Sequence, residues 1–307
     1  MIKFILKRLF WGVPVLWSVA TITFIIMHIV PGGPFDTEKQ LPPEIRVNIE
    51  EKYHLDSPFH TQYLLYMESL IRGDLGPSYK YIGRSVNDII ADTFPVSIQL
   101  GIIAFILSLI LGTGAGLLSA ASKGNSAWID KASMLMAIGG VSIPHFVFAA
   151  LLILILSQTF HIFPPALWEG WEYTILPAIS LAAAPAAYMA RLMRSTLLDV
   201  LNEDYIRTCY ARGLPLRVIF FKHALKNAAT PLITFSGPLF AGLITGSFVI
   251  EYIFSIPGMG KYFVTAVINR DYPLIMGVTL IYAVIIVLAN MAVDLLYFFI
   301  DPRIRRR

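Results

Sequence analysis

Long apolar stretches alternate along this chain with short polar connections. Each stretch is close to, or longer than, the about 20 residues that a helix needs to cross the hydrocarbon core of a bilayer. The stretches lie at 9–30, 95–121, 133–158, 174–193, 231–253 and 273–299. This pattern predicts an all-α integral membrane protein with six transmembrane helices.

Composition agrees with that class, because 56% of the residues are hydrophobic and only 14% are charged, against about 25% charged in soluble domains. A cationic start precedes the first apolar stretch, as in a secretory signal. The stretch is 22 residues long, however, which exceeds the core of a signal peptide, and no small-residue cleavage site follows it. We therefore expect the first stretch to be a retained span.

The polar connections differ in charge in a way that predicts the topology. Lys and Arg outnumber acids at the N-terminus, in the second connection, in residues 191–230 and in the tail 301–307. Acids outnumber Lys and Arg in the segments 31–94, 159–173 and 254–272 taken together. Cation-rich connections stay in the cytoplasm. Both termini and residues 191–230 are therefore predicted to be cytoplasmic, which agrees with an even number of spans.

The outer segment 31–94 has the pattern of a folded insertion. "PPEIRVNIEEKYHLD" and "PFHTQYLLYMESLIRGD" show helical spacing, "GDLGPSY" interrupts it, and "SVNDIIADTF" suggests a third short helix that leads into the second span. We expect a small helical periplasmic insertion that serves as a partner surface or a lid. The predicted division is 1–30 for the N-terminus and first span, 31–94 for the insertion, 95–300 for a five-span core with a cytoplasmic loop at 194–230, and 301–307 for a basic tail.

Catalytic and metal-binding motifs are missing from the sequence. It has no HExxH, GxSxG or paired-carboxylate pattern, and the single cysteine, Cys209, excludes an intrachain disulfide and CxxC metal sites. "PGMGKY" is no nucleotide-binding loop, because Tyr262 follows Lys261 where Ser or Thr is required. Intramembrane ionisable groups are few, among them Asp294 and His145. A structural role is favoured for Asp294, because a proton relay needs more such groups. We expect no enzymatic activity, cofactor or metal in this chain.

Glycines four residues apart occur in the second span, at Gly112 and Gly116, and again in the fifth. Such spacing allows helix backbones to approach closely. Packing within the chain is the simpler interpretation, and a translocation path or subunit interface along the fifth span is the alternative. The residues assigned to that path or interface are Gly237, Gly242, Gly246 and Glu251.

Residues 191–230 carry seven cations and three acids. Burying ten charges at about 2.5–3.5 kcal/mol each would cost on the order of 25–35 kcal/mol, so this segment is predicted to lie in water. Its helix signals are complete: Asn202 is a candidate N-cap, Glu203 and Asp204 occupy the first turn, and Gly213 can take the left-handed position that ends a helix. Arg207 follows Glu203 at a spacing that favours an ion pair.

A second helix is predicted from Pro215 to about Ala229, so the segment forms a helical hairpin. The first helix spans only about 15 Å and is marginal alone. Its apolar stripe, Leu198, Leu201, Tyr205 and Thr208 with Cys209, could lie on the chain's own bundle or the lipid interface, or could dock into a soluble partner. DNA binding is disfavoured because no soluble domain surrounds the hairpin, and we expect no nucleic-acid partner.

The hairpin resembles the cytoplasmic "EAA" loop of binding-protein-dependent ABC importer permeases. The family pattern is E-A-A, three residues, G, nine residues, then I-x-L-P. Aligned on Gly213, residues 207–209 (Arg-Thr-Cys) stand in place of E-A-A, His223 in place of Ile, and Lys226 in place of Pro, while Leu225 matches. The departure at E-A-A is of a kind that the peptide and nickel branch of the family shows.

That branch is also similar over nearly the whole chain. The segments that carry this likeness are "LPPEIRVNIEEKYHLD", "GDLGPSYKY", "SVNDIIADTFPVS", "ARGLP", "ITGSFVIE", "PGMGKYF", "NRDYPL" and "DPRIR". They resemble most the permeases of oligopeptide importers.

The resemblance implies a type I ABC importer permease fold and a mechanism. The loop would be a coupling helix seated in a groove of a cytoplasmic ATPase, and it implies a second homologous permease, two ABC ATPase subunits that use ATP and Mg, a periplasmic peptide-binding protein and a peptide substrate, in a bacterial inner membrane. The residues assigned to coupling are Glu203, Tyr205, Arg207, Thr208, Ala211, Arg212, Gly213, Pro215 and Leu225.

Alternatives stay open at this stage. Dipeptides or nickel chelates could replace oligopeptides, because similar permeases handle all three. An ATP-independent secondary transporter or channel is disfavoured by the sparse intramembrane charge and by the lack of inverted repeats. A membrane scaffold or sensor without a substrate path is the third alternative.

Overall fold

The computed structural model describes residues 2–30, 56–122, 128, 130–131, 135, 139–140, 142–245 and 247–300. Every regular element in these ranges is helical. The helices are α1 (Ile2–Ile29), α2 (Phe59–Ile71), α3 (Val86–Ala121), α4 (His145–Leu152), α5 (Glu172–Leu201), α6 (Asp204–Ala211), α7 (Leu216–Val218), α8 (Leu225–Ala228), α9 (Thr230–Thr245), α10 (Phe248–Ile253), α11 (Met259–Asn269) and α12 (Tyr272–Ile300), with π-helical turns at Ile153–Thr159 and Ile219–Ala224.

Five helical stretches are long and apolar enough to cross a membrane. They are Leu6–Ile29, Val86–Ala121, Glu172–Leu201, Thr230–Ile253 and Tyr272–Leu295, and they coincide with five of the six predicted spans. The remaining predicted span, 133–158, overlaps a shorter apolar helix at His145–Thr159. Much of the first half of that predicted span lies outside the described residues. The number six therefore stays a prediction.

The predicted outer insertion is described only in part. The first of its three predicted helices, together with the rest of residues 31–55, lies outside the described residues. The second is α2, and the third is the first part of α3, which continues without a break through Pro95 into the apolar stretch. The third is therefore the start of a 36-residue helix rather than a separate short one.

Three prolines, Pro144, Pro177 and Pro185, lie within the predicted spans 133–158 and 174–193. Pro144 precedes α4 at the N-cap position, where its missing N–H leaves no helical bond unmade. Pro177 and Pro185 lie inside α5, where a proline frees a backbone carbonyl. Pro144 therefore breaks no hydrogen bond of a helix, whereas Pro177 and Pro185 each leave a carbonyl of α5 without its helical N–H partner.

The chain divides into two compact units. Unit one comprises Met1–Val96 and Gly258–Val287, and unit two comprises Ser97–Pro257 and Leu288–Arg307. In unit one, the Phe24 ring lies 5.3–5.5 Å from the rings of Phe59, Tyr63 and Tyr66. This aromatic contact packs α1 against α2. His28 adds a polar link, because its Nε2 lies 3.0 Å from Gln62 Oε1.

A buried carboxylate anchors the turn 77–85 within unit one. Asp271 is fully buried. It accepts the Ser78 hydroxyl and the backbone N–H groups of Tyr79 at 3.1 Å, Lys80 at 3.4 Å and Leu274 at 3.4 Å. A buried charge is stable only when it is well hydrogen-bonded, and these donors supply those bonds. The turn is thereby joined to the start of α12.

Small residues bring helices of unit two into backbone contact. A Cβ added at Gly112 would stand 2.6 Å from the Ala186 carbonyl oxygen, and one at Gly116 would stand 2.6 Å from that of Ala190. Side chains larger than glycine therefore do not fit where α3 crosses α5. The Gly112–Gly116 spacing serves packing inside the chain, which was the simpler of its two interpretations.

Candidate coupling hairpin

The hairpin begins where α5 ends, one residue later than the sequence suggested. Asn202 closes α5 (φ −89°, ψ −5°), and its side-chain amide donates to the Leu198 carbonyl at 2.9 Å. Glu203 has an extended backbone (φ −69°, ψ 147°) and is the N-cap of α6. The prediction of Asn202 as N-cap is therefore wrong, because an N-cap needs non-helical backbone and Asn202 still continues the turn of α5.

The end of α6 follows the prediction closely. Gly213 has φ +68°, its N–H donates to the Tyr210 carbonyl at 2.9 Å, and the Leu214 N–H donates to the Cys209 carbonyl at 3.3 Å. These two bonds form a Schellman motif, which requires a left-handed residue. Pro215 (φ −62°, ψ 143°) is then the N-cap of α7, so the second arm becomes helical at Leu216, one residue after the predicted start.

The second arm starts at the predicted place but is less regular than expected. After the three residues of α7, the backbone widens into the π-helical turn Ile219–Ala224 and returns to α-helix in α8, before α9 begins at Thr230. Glycine and proline mark helix ends in a sequence, whereas nothing in residues 219–224 signals a change of helical hydrogen bonding.

A buried cluster fixes the hairpin to the adjoining ends of the chain's own helices. We call it the root cluster; its buried members are Ala120, Met193, Leu197, Ile206, Ile219, Ala224, Ala228 and Leu232. Ile206, from α6, is fully buried in it, and Leu198, Leu201 and Cys209 pack around it. The hairpin's apolar face therefore lies on the chain's own bundle.

The predicted apolar stripe named Tyr205 and omitted Ile206, and the structure reverses these two positions. Tyr205 is 39% exposed while Ile206 is fully buried. Ile206 is the one branched aliphatic residue in α6 and stands three residues before Cys209, so a hydrophobicity ranking within α6 could have identified it.

Tyr205 instead joins the two arms of the hairpin. Its hydroxyl accepts a bond from the Asn227 side-chain amide at 2.8 Å and lies 3.4 Å from the His223 carbonyl oxygen. These contacts connect residues about 20 positions apart in the sequence. They hold α6 beside the second arm.

The opposite face of the hairpin is exposed and mixed in character. Arg207 pairs with Asp204 at 3.4 Å rather than with Glu203 as the spacing suggested, because Glu203 precedes the helix. The Thr208 hydroxyl donates to the Asp204 carbonyl at 3.0 Å. Of the residues assigned to coupling, Leu225 is half-buried against the root cluster, and the exposed ones are Glu203, Tyr205, Arg207, Thr208, Ala211, Arg212, Gly213 and Pro215.

The residues assigned to a translocation path or interface have different surroundings. A Cβ at Gly237 would overlap the Val293 side chain, whereas one at Gly242 would meet no atom within 4 Å. Glu251 is fully buried and accepts the Ser247 hydroxyl at 2.5 Å. Gly246 lies outside the described residues. Their role in a path or interface stays a prediction.

Within the described residues, no group of three His, Cys, Asp or Glu side chains is placed to hold a metal ion. The expected absence of a metal stays a prediction.

Comparisons with known proteins identify the family. The family model "Binding-protein-dependent transport system inner membrane component" matches residues 112–306, and the corresponding N-terminal model matches residues 1–101. The oligopeptide transport system permease protein OppB of Haemophilus influenzae is 47% identical over 307 residues, with 99% of this chain and 100% of that protein covered. OppB of Escherichia coli is 46% identical with the same coverage, and the dipeptide transport system permease protein DppB of Bacillus subtilis is 44% identical, covering 99% and 98%.

Solved structures give the same fold at low sequence identity. The inward-facing MetNI methionine ABC transporter aligns with a TM-score of 0.57 at 13% identity, covering 69% of this chain and 96% of that one. An amino acid ABC transporter with histidines aligns with a TM-score of 0.56 at 14% identity, covering 68% and 93%. The helical fold is that of type I ABC importer permeases, and the chain belongs to the family of binding-protein-dependent transport system inner membrane components.

Proposed function

We propose that this chain is a transmembrane permease subunit of an ATP-driven importer, which translocates oligopeptides delivered by a periplasmic binding protein. The observation that carries the proposal is the hairpin: its inner face is fixed to the spans by Ile206, and its outer face is free for a partner. Relatives of nearly equal length that are named oligopeptide permeases supply the substrate class.

The exposed face of the hairpin has the chemistry of a protein interface. Tyr210, Leu216 and Phe221 are 48%, 69% and 63% exposed, and Arg207 and Arg212 are exposed as well. Aromatic residues and Arg are enriched at interfaces relative to the remaining protein surface. We infer that this face docks into a groove of a cytoplasmic ATPase.

Attachment to the spans converts docking into coupling. Alone, an eight-residue helix is unstable in water, so α6 holds its shape through the root cluster. Leu197 and Met193 of α5 belong to the same cluster as Ile206. A force applied to α6 by a closing ATPase is therefore passed to α5 through packed side chains, which resist compression.

The remaining partners are those that the importer family implies. On this proposal two partner ATPase subunits use ATP and Mg, and a second homologous permease completes the pathway. On this proposal both termini are cytoplasmic and the turn 77–85 is periplasmic. Ile71 and Ile82, which are 87% and 93% exposed, would then belong to the face that receives the binding protein.

Reconstitution tests this function directly. The chain, its partner permease, the ATPases and the peptide-loaded binding protein would be placed in proteoliposomes, and uptake of labelled peptide measured with ATP, without ATP, and with a proton gradient alone. We expect uptake only with ATP, and crosslinks from positions 203–215 to an ATPase. Gradient-driven uptake without the ATPases would refute the proposal in favour of a secondary transporter.

Dipeptide import is a second candidate, because a dipeptide permease is 44% identical over nearly the whole chain. Competition separates the two substrates in the same assay. Unlabelled dipeptide should compete poorly with a labelled longer peptide if the oligopeptide assignment holds.

A further inference from the structure

A charged pair stands where the root of the hairpin meets the spans. Arg194 Nε donates to Asp130 Oδ1 at 2.6 Å, and Arg194 Nη2 donates to Asp130 Oδ2 at 2.7 Å. The two side chains are 27% and 20% exposed. The fully buried Ser119 also donates its hydroxyl to Asp130. Three segments, the end of α3, residue 130 and α5, therefore meet at one carboxylate.

The same stretch of α5 holds the hairpin. Met193 and Leu197, on either side of Arg194, belong to the root cluster with Ile206. The Thr196 hydroxyl donates to the Ala228 carbonyl at 3.1 Å and so reaches the second arm. Residues 193–197 therefore contact both arms of the hairpin, while Arg194 contacts Asp130.

The geometry of this pair restrains direction as well as distance. A bidentate Arg–carboxylate contact fixes the planes of both groups, which a single hydrogen bond or a Lys ammonium does not do. Partial burial also shields the pair from the salt that screens exposed charges. If α5 rotated or slid relative to residue 130, both bonds would break together.

We propose that Arg194 and Asp130 form a joint through which movement of the hairpin reaches the helices preceding α5. They are positioning residues, because both act by keeping α3, residue 130 and α5 moving together. The inference rests on the proposed function, because it concerns how ATP-driven movement is transmitted. It assigns a role to two residues outside the coupling hairpin itself.

The test compares transport with ATP consumption in the reconstituted complex. Asp130→Asn, Arg194→Gln and Arg194→Lys would be measured beside the charge exchange D130R/R194D. Arg191→Gln, one turn earlier on α5, and Asp199→Asn, an exposed acid on the same helix, are the matched controls. For each variant, the amount of assembled complex, the ATPase rate stimulated by loaded binding protein and the peptide taken up per ATP are determined.

We expect the pair variants to assemble and hydrolyse ATP while uptake per ATP falls by about 2- to 30-fold, the usual range for residues that carry coupling between sites. Arg194→Lys should lose less than Arg194→Gln, and the exchange should recover part of the loss. Both controls should keep the wild-type ratio.

Two results would overturn the joint while leaving the proposed function intact. One is a wild-type uptake per ATP in Arg194→Lys and Asp130→Asn. The other is a parallel fall of complex, ATPase rate and uptake, which would make the pair a structural clamp only. If the wild-type complex itself shows no ATP-driven uptake, the proposed function fails, and the joint fails with it.

Discussion

Ile206 of α6 and Leu197 of α5 are both fully buried in the root cluster, so the short helix of the hairpin shares one core with the span that precedes it. This relationship makes α6 a part of the bundle rather than an appendage. Since the cluster also contains residues of the second arm, it fixes both sides of the hairpin at once.

Shortening the Ile206 side chain should loosen the hairpin. Replacing a fully buried Ile by Ala costs about 2–5 kcal/mol of folding free energy. A helix of eight residues is not stable by itself, so α6 depends on this buried contact. For Ile206→Ala we expect faster hydrogen exchange over residues 204–228 and a lower uptake per ATP. Leu216→Ala, at an exposed position, is the control for exchange. Unchanged exchange in Ile206→Ala would contradict the anchoring role.

Substitutions at Gly213 should separate backbone strain from charge. A Cβ there meets no atom within 4 Å, but φ is +68°, a conformation that costs non-glycine residues about 1–3 kcal/mol and β-branched ones most. Asp, like Asn, tolerates this backbone better than other residues do, so Gly213→Asp tests mainly the added charge. It should impair uptake and ATPase stimulation while the complex still inserts in the membrane.

Asn and Val serve as comparisons at the same position. Gly213→Asn has the shape of Asp without its charge and tolerates this backbone, so it should be the mildest variant. Gly213→Val, which is uncharged but strained, should be impaired through the fold of the hairpin. Wild-type coupling in both the Asp and the Val variant would refute the role of this turn.

Neutralising Asp271 should release the turn 77–85. In Asp271→Asn one oxygen is replaced by a donor that faces other donors, and hydrogen bonds to a charged group contribute about 1.5–3 kcal/mol each. We expect cleavage by protease within residues 77–85 at concentrations that leave the wild type intact. Asp74→Asn, whose side-chain oxygen can still accept the exposed bond from the Gly76 N–H, is the matched control and should resist cleavage like the wild type.

Tyr66 should remain protonated well above the ordinary range for tyrosine. Burial, with a smaller contribution from Tyr63, raises the pKa of Tyr66 from 10.0 to about 12. Because the pKa is higher in the folded state, its contribution to stability is present below pH 10 and is lost as the pH rises from 10 to 12.

Removing the Tyr66 hydroxyl provides the measurement. The difference in tyrosinate absorbance between wild type and Tyr66→Phe, titrated with base, isolates this group, and its midpoint should lie near pH 12. A midpoint at pH 10 would show that the hydroxyl is solvated rather than packed beside Phe24.

The sequence alone determined the features that depend on composition and on neighbouring residues. The five helices that are long and apolar enough to span a membrane follow from the apolar runs. A run of about 20 apolar residues is what a helix needs to cross the hydrocarbon core. The end of α6 at Gly213 and the start of the second arm near Pro215 follow from backbone geometry that only these residue types adopt readily. The family follows from motifs spread along the chain.

Tertiary structure decided the features that depend on residues far apart in the chain. Asp271 is bonded to residues 78–80, Arg194 to Asp130, and Tyr205 to Asn227, and no local pattern predicts which donor meets which acceptor. The same holds for Ile206, whose burial depends on α5 and the second arm. The physical reason is that spans and most helix ends depend on the conformational preferences and hydrophobicity of neighbouring residues. Buried contacts between distant residues depend instead on which helices pack against each other.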